Sequence, residues 1–216
     1  MKIKQEIKEI LPEEYYKPFL QTDYNKKLKL EAALERAWKN RDFEIDKYWS
    51  RATYFWAFIA STFAGYIAVL NSDKIKATFQ ELPFLMTCLG FIFSTAWFLV
   101  NLGSKKWQEN WEKHIDMLED YVTGPIYKTV LIKTGYSVSK INLTVSKFIM
   151  GVWAILFSKE IVPWQSPLSQ WSFSFYKLLS VLLTLGMAVS MLIKNDKFKK
   201  PESISFNRRH NKEDNK

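Results

Sequence analysis

Four long runs with almost no charge dominate the chain, and they leave it few ways to fold. Residues 52–70 (ATYFWAFIASTFAGYIAVL) and 82–104 (LPFLMTCLGFIFSTAWFLVNLGS) carry no Asp, Glu, Lys or Arg. Residues 141–158 carry one charge, Lys147, and residues 172–193 carry one, Lys177. About 20 apolar residues are what a helix needs to cross the hydrocarbon of a bilayer. A lipid-exposed segment must also satisfy its own backbone, which favours helix over coil or open strand. Both lysines lie near run ends, where a long side chain reaches the interface. Trp164, Trp171 and Tyr176 stand where an aromatic belt would precede the fourth span. The pattern predicts an all-α, polytopic membrane protein with four transmembrane helices in two hairpins. The competing reading is two spans followed by amphipathic segments lying on the membrane surface.

Charge sets the orientation. Lys and Arg outnumber acids by 31 to 22, a net of +9, and the mean hydropathy of −0.17 averages over two very different kinds of segment. Residues 1–51 hold 12 Lys/Arg, residues 104–147 hold 7 and residues 194–216 hold 8, while 71–81 and 158–177 hold 2 each. Basic flanks stay in the cytoplasm, so both termini and the middle loop are expected there. The chain then divides into a cytoplasmic N-terminal helical region (1–51), a first transmembrane hairpin (52–104), a cytoplasmic amphipathic helix and turn (105–140), a second hairpin (141–193) and a basic tail (194–216). The basic excess doubles as a contact for anionic lipid head groups. Nucleic acid is set aside as a partner, because basic tails are common at membrane exits. The charged start MKIKQEIKEILPEEYYKPF lacks the apolar core of a cleavable signal peptide. Cys88 is the lone cysteine and lies inside a span, which rules out a disulfide framework.

The first two spans read as continuing into the cytoplasm. Leu30, Leu34, Trp38, Ile45 and Trp49 form a helical stripe leading into the first span without Gly or Pro, so one helix is expected from near residue 25 onward. Beyond the second span, Trp107, Trp111, Ile115, Leu118 and Val122 share another face. Two amphipathic helices in water must bury their stripes, against each other or against another subunit.

The stretch HIDMLEDYVTGPIYK, residues 114–128, is where a chemical site would be sought. A helical metal site wants His and carboxylate three or four residues apart, and from His114 those positions are Met117 and Leu118. Asp116, Glu119 and Asp120 instead read as a solvated acidic face. Gly124 is suited to the left-handed residue after a helix, and Pro125 cannot continue one. Three acids near a helix C-terminus oppose its dipole, so a cation is expected nearby: Lys128, Lys133 or a neighbour's arginine.

GSKKWQENWEKHIDMLEDYVTGPIYKT, following a Trp-rich span, resembles the RipA-like family of small octameric bacterial inner-membrane proteins. The resemblance rests on Trp107, His114, Asp116, Leu118, Glu119, Asp120, Gly124, Pro125 and Lys128, with Trp111 on the same helix, and covers about residues 48–129. It implies an integral homo-oligomer, an octamer, in the bacterial inner membrane and without an established enzyme activity.

Small residues supply a means of assembly. In the first span Ala57, Ser61 and Gly65 lie on one track and Ala60, Ala64 and Ala68 on the next; Ser180, Thr184 and Ala188 do likewise in the fourth. Such faces serve packing within a subunit or between subunits. The spans carry no Asp, Glu or His, and the chain has no phosphate loop, nucleophile elbow or metal-ligand cluster. The expected function is therefore non-enzymatic, with no cofactor: a homo-oligomeric scaffold whose cytoplasmic helical collar binds lipid or an unidentified cytoplasmic protein. The alternative is a signal-activated membrane effector or channel, for instance in antiphage defence. A pore would need a polar stripe, for which Ser94, Thr95 and Asn101 offer a broken one.

Overall fold

The computed structural model describes residues 5–10, 26–129, 136–161, 174–193 and 206–211. Trp164, Trp171, Lys133 and most of the basic tail lie outside the described residues. Elements run β1 (Gln5–Ile10), α1 (Lys26–Leu70), α2 (Asp73–Thr78), α3 (Leu82–Leu118), α4 (Val138–Ile161), α5 (Phe175–Leu192) and β2 (Phe206–Asn211). Four of these helices, α1, α3, α4 and α5, are long and apolar enough to cross a membrane.

α1 is a single helix of 45 residues, and α3 one of 37. Each is about twice what a bilayer crossing requires, so both extend well past the membrane as an antiparallel stalk. α4 begins at Val138, three residues ahead of the apolar run, because Ser137 caps it by accepting the Lys140 N–H. The loop between the first two spans holds the short α2, capped by Ser72 accepting the Ile75 N–H.

α3 is the centre of the bundle, with α1, α4 and α5 packed around it. α5 is the least embraced; Thr184 and Ala188 are its buried residues. Its N-terminal end is tied to α3 by Lys177 and Ser174, both against the Glu81 carboxylate. At the opposite end of the span, Asn142 of α4 donates to the Tyr48 hydroxyl of α1.

The all-α, four-span expectation holds, and one short strand pair stands beside the helices. β1 and β2 pair antiparallel, from Gln5 opposite Asn211 to Ile10 opposite Phe206. These partners are about two hundred residues apart in sequence, and neither segment alternates apolar and polar residues, so no local pattern betrays the pairing. The ribbon also brings residues 5–10 and 206–211 together, as an even number of spans requires.

Candidate functional site

In the stalk, the seam between α1 and α3 is a small apolar core outside the membrane. Leu30, Leu34 and Ala37 pack against Ile115 and Leu118, with Trp38, Trp111, Met117, Val122 and Tyr127 around them. Each fully buried leucine or isoleucine contributes about 1.5–3 kcal/mol by leaving water. Of the sequence stripes, Leu30, Leu34, Trp38, Trp111, Ile115, Leu118 and Val122 therefore meet within one subunit, and Ile45 is half-buried outside that cluster. Trp49 and Trp107 stand off the seam and are exposed by 42% and 39%. The seam runs instead through Tyr48 and Ala52 on α1 and Asn101 and Ser104 on α3, all buried, with the Arg51 guanidinium donating to the Ser104 hydroxyl. Seven-residue steps from Leu118 reach Trp111 and Ser104, so the seam follows a heptad where the apolar count followed tryptophans.

At the tip of the stalk the acidic stretch is a clamp. α3 ends at Leu118, a single 3-10 turn covers Glu119–Tyr121, and Gly124 takes φ +78°. The carbonyl of Glu119 accepts the N–H groups of Val122, Thr123 and Gly124. Its carboxylate reaches across the turn and accepts the N–H groups of Tyr127 (2.7 Å) and Lys128 (3.1 Å). Glu119 is 1% exposed. The solvated-face reading is thus corrected for Glu119: a helix wheel shows which way a residue leaves its helix, but not a loop folding back over it. Asp120 is exposed, and Asp116 is half-buried.

Lys128 supplies the cation that the helix end needs. Its ammonium donates to the Asp116 carbonyl and to the Asp120 carboxylate. Those acids hold the Lys128 pKa above its ordinary value. Next to the clamp, the Arg41 guanidinium lies over the rings of Trp38 (5.6 Å) and Tyr127 (5.5 Å), and Glu112 stands 3.9 Å from it. Trp38 and Tyr127 meet edge to face at 5.0 Å. Cation–π contact and aromatic packing fasten the returning loop to α1.

His114 is half-buried, its ring 5.4 Å from that of Trp111. Burial pushes its pKa from 6.5 down to about 4. The folded stalk thus favours neutral imidazole, and between those values the unfolded stalk binds a proton that the folded one does not. Stability from this group is full above pH 6.5 and falls as the pH drops toward 4. Asp116, its pKa raised by burial and then by the charge of Glu119, pulls the opposite way. Thermal unfolding of detergent-solubilised protein should show the acid loss, and His114→Phe should remove the histidine part of it. An unchanged pH profile in His114→Phe would contradict the assignment. Among the described residues, no three His, Cys, Asp or Glu side chains are gathered to hold a metal.

Inside the membrane, Ser94, Thr95 and Asn101 are all buried between helices at 0–3% exposure. The small residues of α1 behave differently. Ala57, Ala60, Ser61, Ala64 and Ala68 are exposed on the single chain. Gly65 is half-buried, with room for a methyl group at 3.5 Å from the Met86 sulfur. The small-residue face of α1, Gly65 excepted, is thus turned away from its own bundle. In α5 the reverse holds: Thr184 and Ala188 pack inward.

The matched region of the chain coincides with this architecture. Residues 31–162, from the stalk of α1 through α3 and the clamp to the end of α4, match the model of the octameric membrane protein family. The chain belongs to that family. Among curated proteins and among solved structures, nothing matches it. The family match covers the three helices that carry the stalk, the clamp and the outward small-residue face, and it leaves out β1, α5 and β2.

The sequence reading missed Gly90 and its partner Trp153. A Cβ built on Gly90 would stand 2.2 Å from the Trp153 ring, which is fully buried between Phe63 and Tyr66 of α1 and this notch of α3. The available signal was a glycine in mid-span, a place where close helix approach is the usual reason for one.

Proposed function

We propose that the protein is a non-enzymatic, homo-oligomeric scaffold of the bacterial inner membrane, of the RipA-like kind, with the stalk on the cytoplasmic side. The observation that carries this reading is the outward face of α1. A helix face meant for lipid is normally built from bulky apolar residues. Here Thr53, Ala57, Ala60, Ser61, Ala64 and Ala68 are exposed together, a surface that lets another backbone approach closely. The family description as octameric supports self-association, and the distribution of basic residues supports a cytoplasmic stalk. The stalks then form a collar, its clamped tip standing about 20 Å from the membrane. Lysines nearer the spans meet anionic lipid, and the tip presents a defined surface to a protein partner.

The test is an Ala57→Leu/Ala64→Leu variant, both positions being exposed on the single chain. The expected outcome is a fall in native mass with helicity and monomer melting unchanged. Unaltered native mass would mean that this face is lipid-covered, and would overturn the reading.

A further inference from the structure

We propose that the outward face of α1 in one copy packs against the lateral face of α3 in the next, with Phe43 meeting Trp107. The inference rests on the self-association reading and goes beyond it by naming both surfaces.

Topology comes first. Every copy inserts in the membrane with the same orientation, so symmetry axes lying in the membrane plane are forbidden. Eight equivalent copies are then related by rotation about the membrane normal, and such a ring joins two different faces of each subunit. Rotation about that normal preserves depth. Residues that meet across the interface must therefore lie level with each other.

Two faces meet these conditions. On α1, Phe43, Ser50, Ala57 and Ala64 follow at seven-residue spacing and are all exposed, so they share one face along the helix. On α3, Leu89, Ala96 and Gly103 follow at the same spacing, with Trp107 one turn further; all but the half-buried Ala96 are exposed. Both faces run from the membrane into water. Phe43 lies nine residues below Ala52, about 13 Å along the helix, where hydrocarbon does not reach. It is nevertheless 53% exposed.

Depth agrees as well. Phe58 of α1 stacks on Phe93 of α3 at 5.4 Å, which sets the two helices level there. Fifteen residues down α1 lead to Phe43, and fourteen down α3 lead to Trp107. At about 1.5 Å per residue the two aromatics are level to within one residue's rise. By the same count Asp46 is level with Lys106, and both are exposed. Within the membrane the small residues of α1 face Leu89, Ala96 and Gly103, and below it the two faces match in aromatic and opposite charge.

Cysteine cross-linking in native membranes tests this, in a Cys88→Ala background with native mass measured in parallel. Phe43→Cys/Trp107→Cys should give an oxidation-dependent ladder of multimers, and neither single variant should. Asp46→Cys/Lys106→Cys provides a second pair that spares the aromatics. A dimer from Phe43→Cys alone would reveal α1 facing α1 and overturn the proposal. Multimeric native mass with neither pair cross-linking would overturn the face assignment and leave self-association standing. A single-copy native mass would remove both.

Discussion

Gly90→Leu will abolish the folded membrane bundle. The position has no space: a first side-chain carbon would lie 2.2 Å from the Trp153 ring, inside the contact distance of any two carbons. Trp153 has nowhere to retreat. Its ring is fully buried, 4.2 Å from Phe63 and 6.1 Å from Tyr66. Inside a bilayer the hydrophobic effect does not drive helices together, and close packing takes over that role. Filling this notch therefore removes the contact that sets α1, α3 and α4 against one another. Gly90→Ala should cost about 1–3 kcal/mol by overpacking, and Trp153→Ala about 3–5 kcal/mol by leaving a cavity. The two sites touch, so their effects should not add. Gly90→Ala/Trp153→Leu should be more stable than the sum of the single changes implies. Melting in detergent, followed by size-exclusion profile, measures all of these. A Gly90→Leu protein that melts like wild type would refute the packing described.

The second large effect is expected at Glu119. Glu119→Ala should release the turn from Gly124 to Thr129, because two part-buried N–H groups lose their buried acceptor. An unsatisfied buried polar group costs about 1–3 kcal/mol. With Tyr127 and Lys128 both affected but only part-buried, about 2–4 kcal/mol of local stability should go. Glu119→Gln keeps one acceptor oxygen and should fall between. Hydrogen exchange at Tyr127 and Lys128, and proteolysis within residues 122–129, would register the loss, while the membrane spans should stay protected. Asp120→Ala, by contrast, removes an exposed ion pair with Lys128 and should cost under about 1 kcal/mol. Equal effects at the two acids would contradict the clamp.

That contrast marks where the sequence is legible. Asp116, Glu119 and Asp120 look alike on a helical wheel, and loop return alone distinguishes Glu119. Gly124 and Pro125 predict the turn well, because backbone sterics act locally. They say nothing of which side chain the turn will land on. The four spans are legible because hydrocarbon imposes a length and a composition on each. The unbroken course of α1 from stalk to membrane is legible because neither Gly nor Pro interrupts residues 26–64. The seam was read from the large apolar residues, yet Trp49 and Trp107 lie outside it. Near an interface, tryptophan also suits belt and intersubunit positions, so counting it toward the seam misled. The Gly90 notch and the β1–β2 ribbon depend on partners distant in sequence, for which one chain offers no periodic signal. The small face of α1 was visible, but whether it pointed inward or outward required the packed bundle.

In the proposed function, outward exposure of that face is what makes the chain a subunit. The most direct measurement of this claim is the native mass of wild-type protein released from mild detergent in the mass spectrometer. The account predicts one uniform complex of eight copies of the 25.5 kDa chain, stable on dilution and lost in Ala57→Leu/Ala64→Leu. A single 25.5 kDa species at every concentration would contradict it.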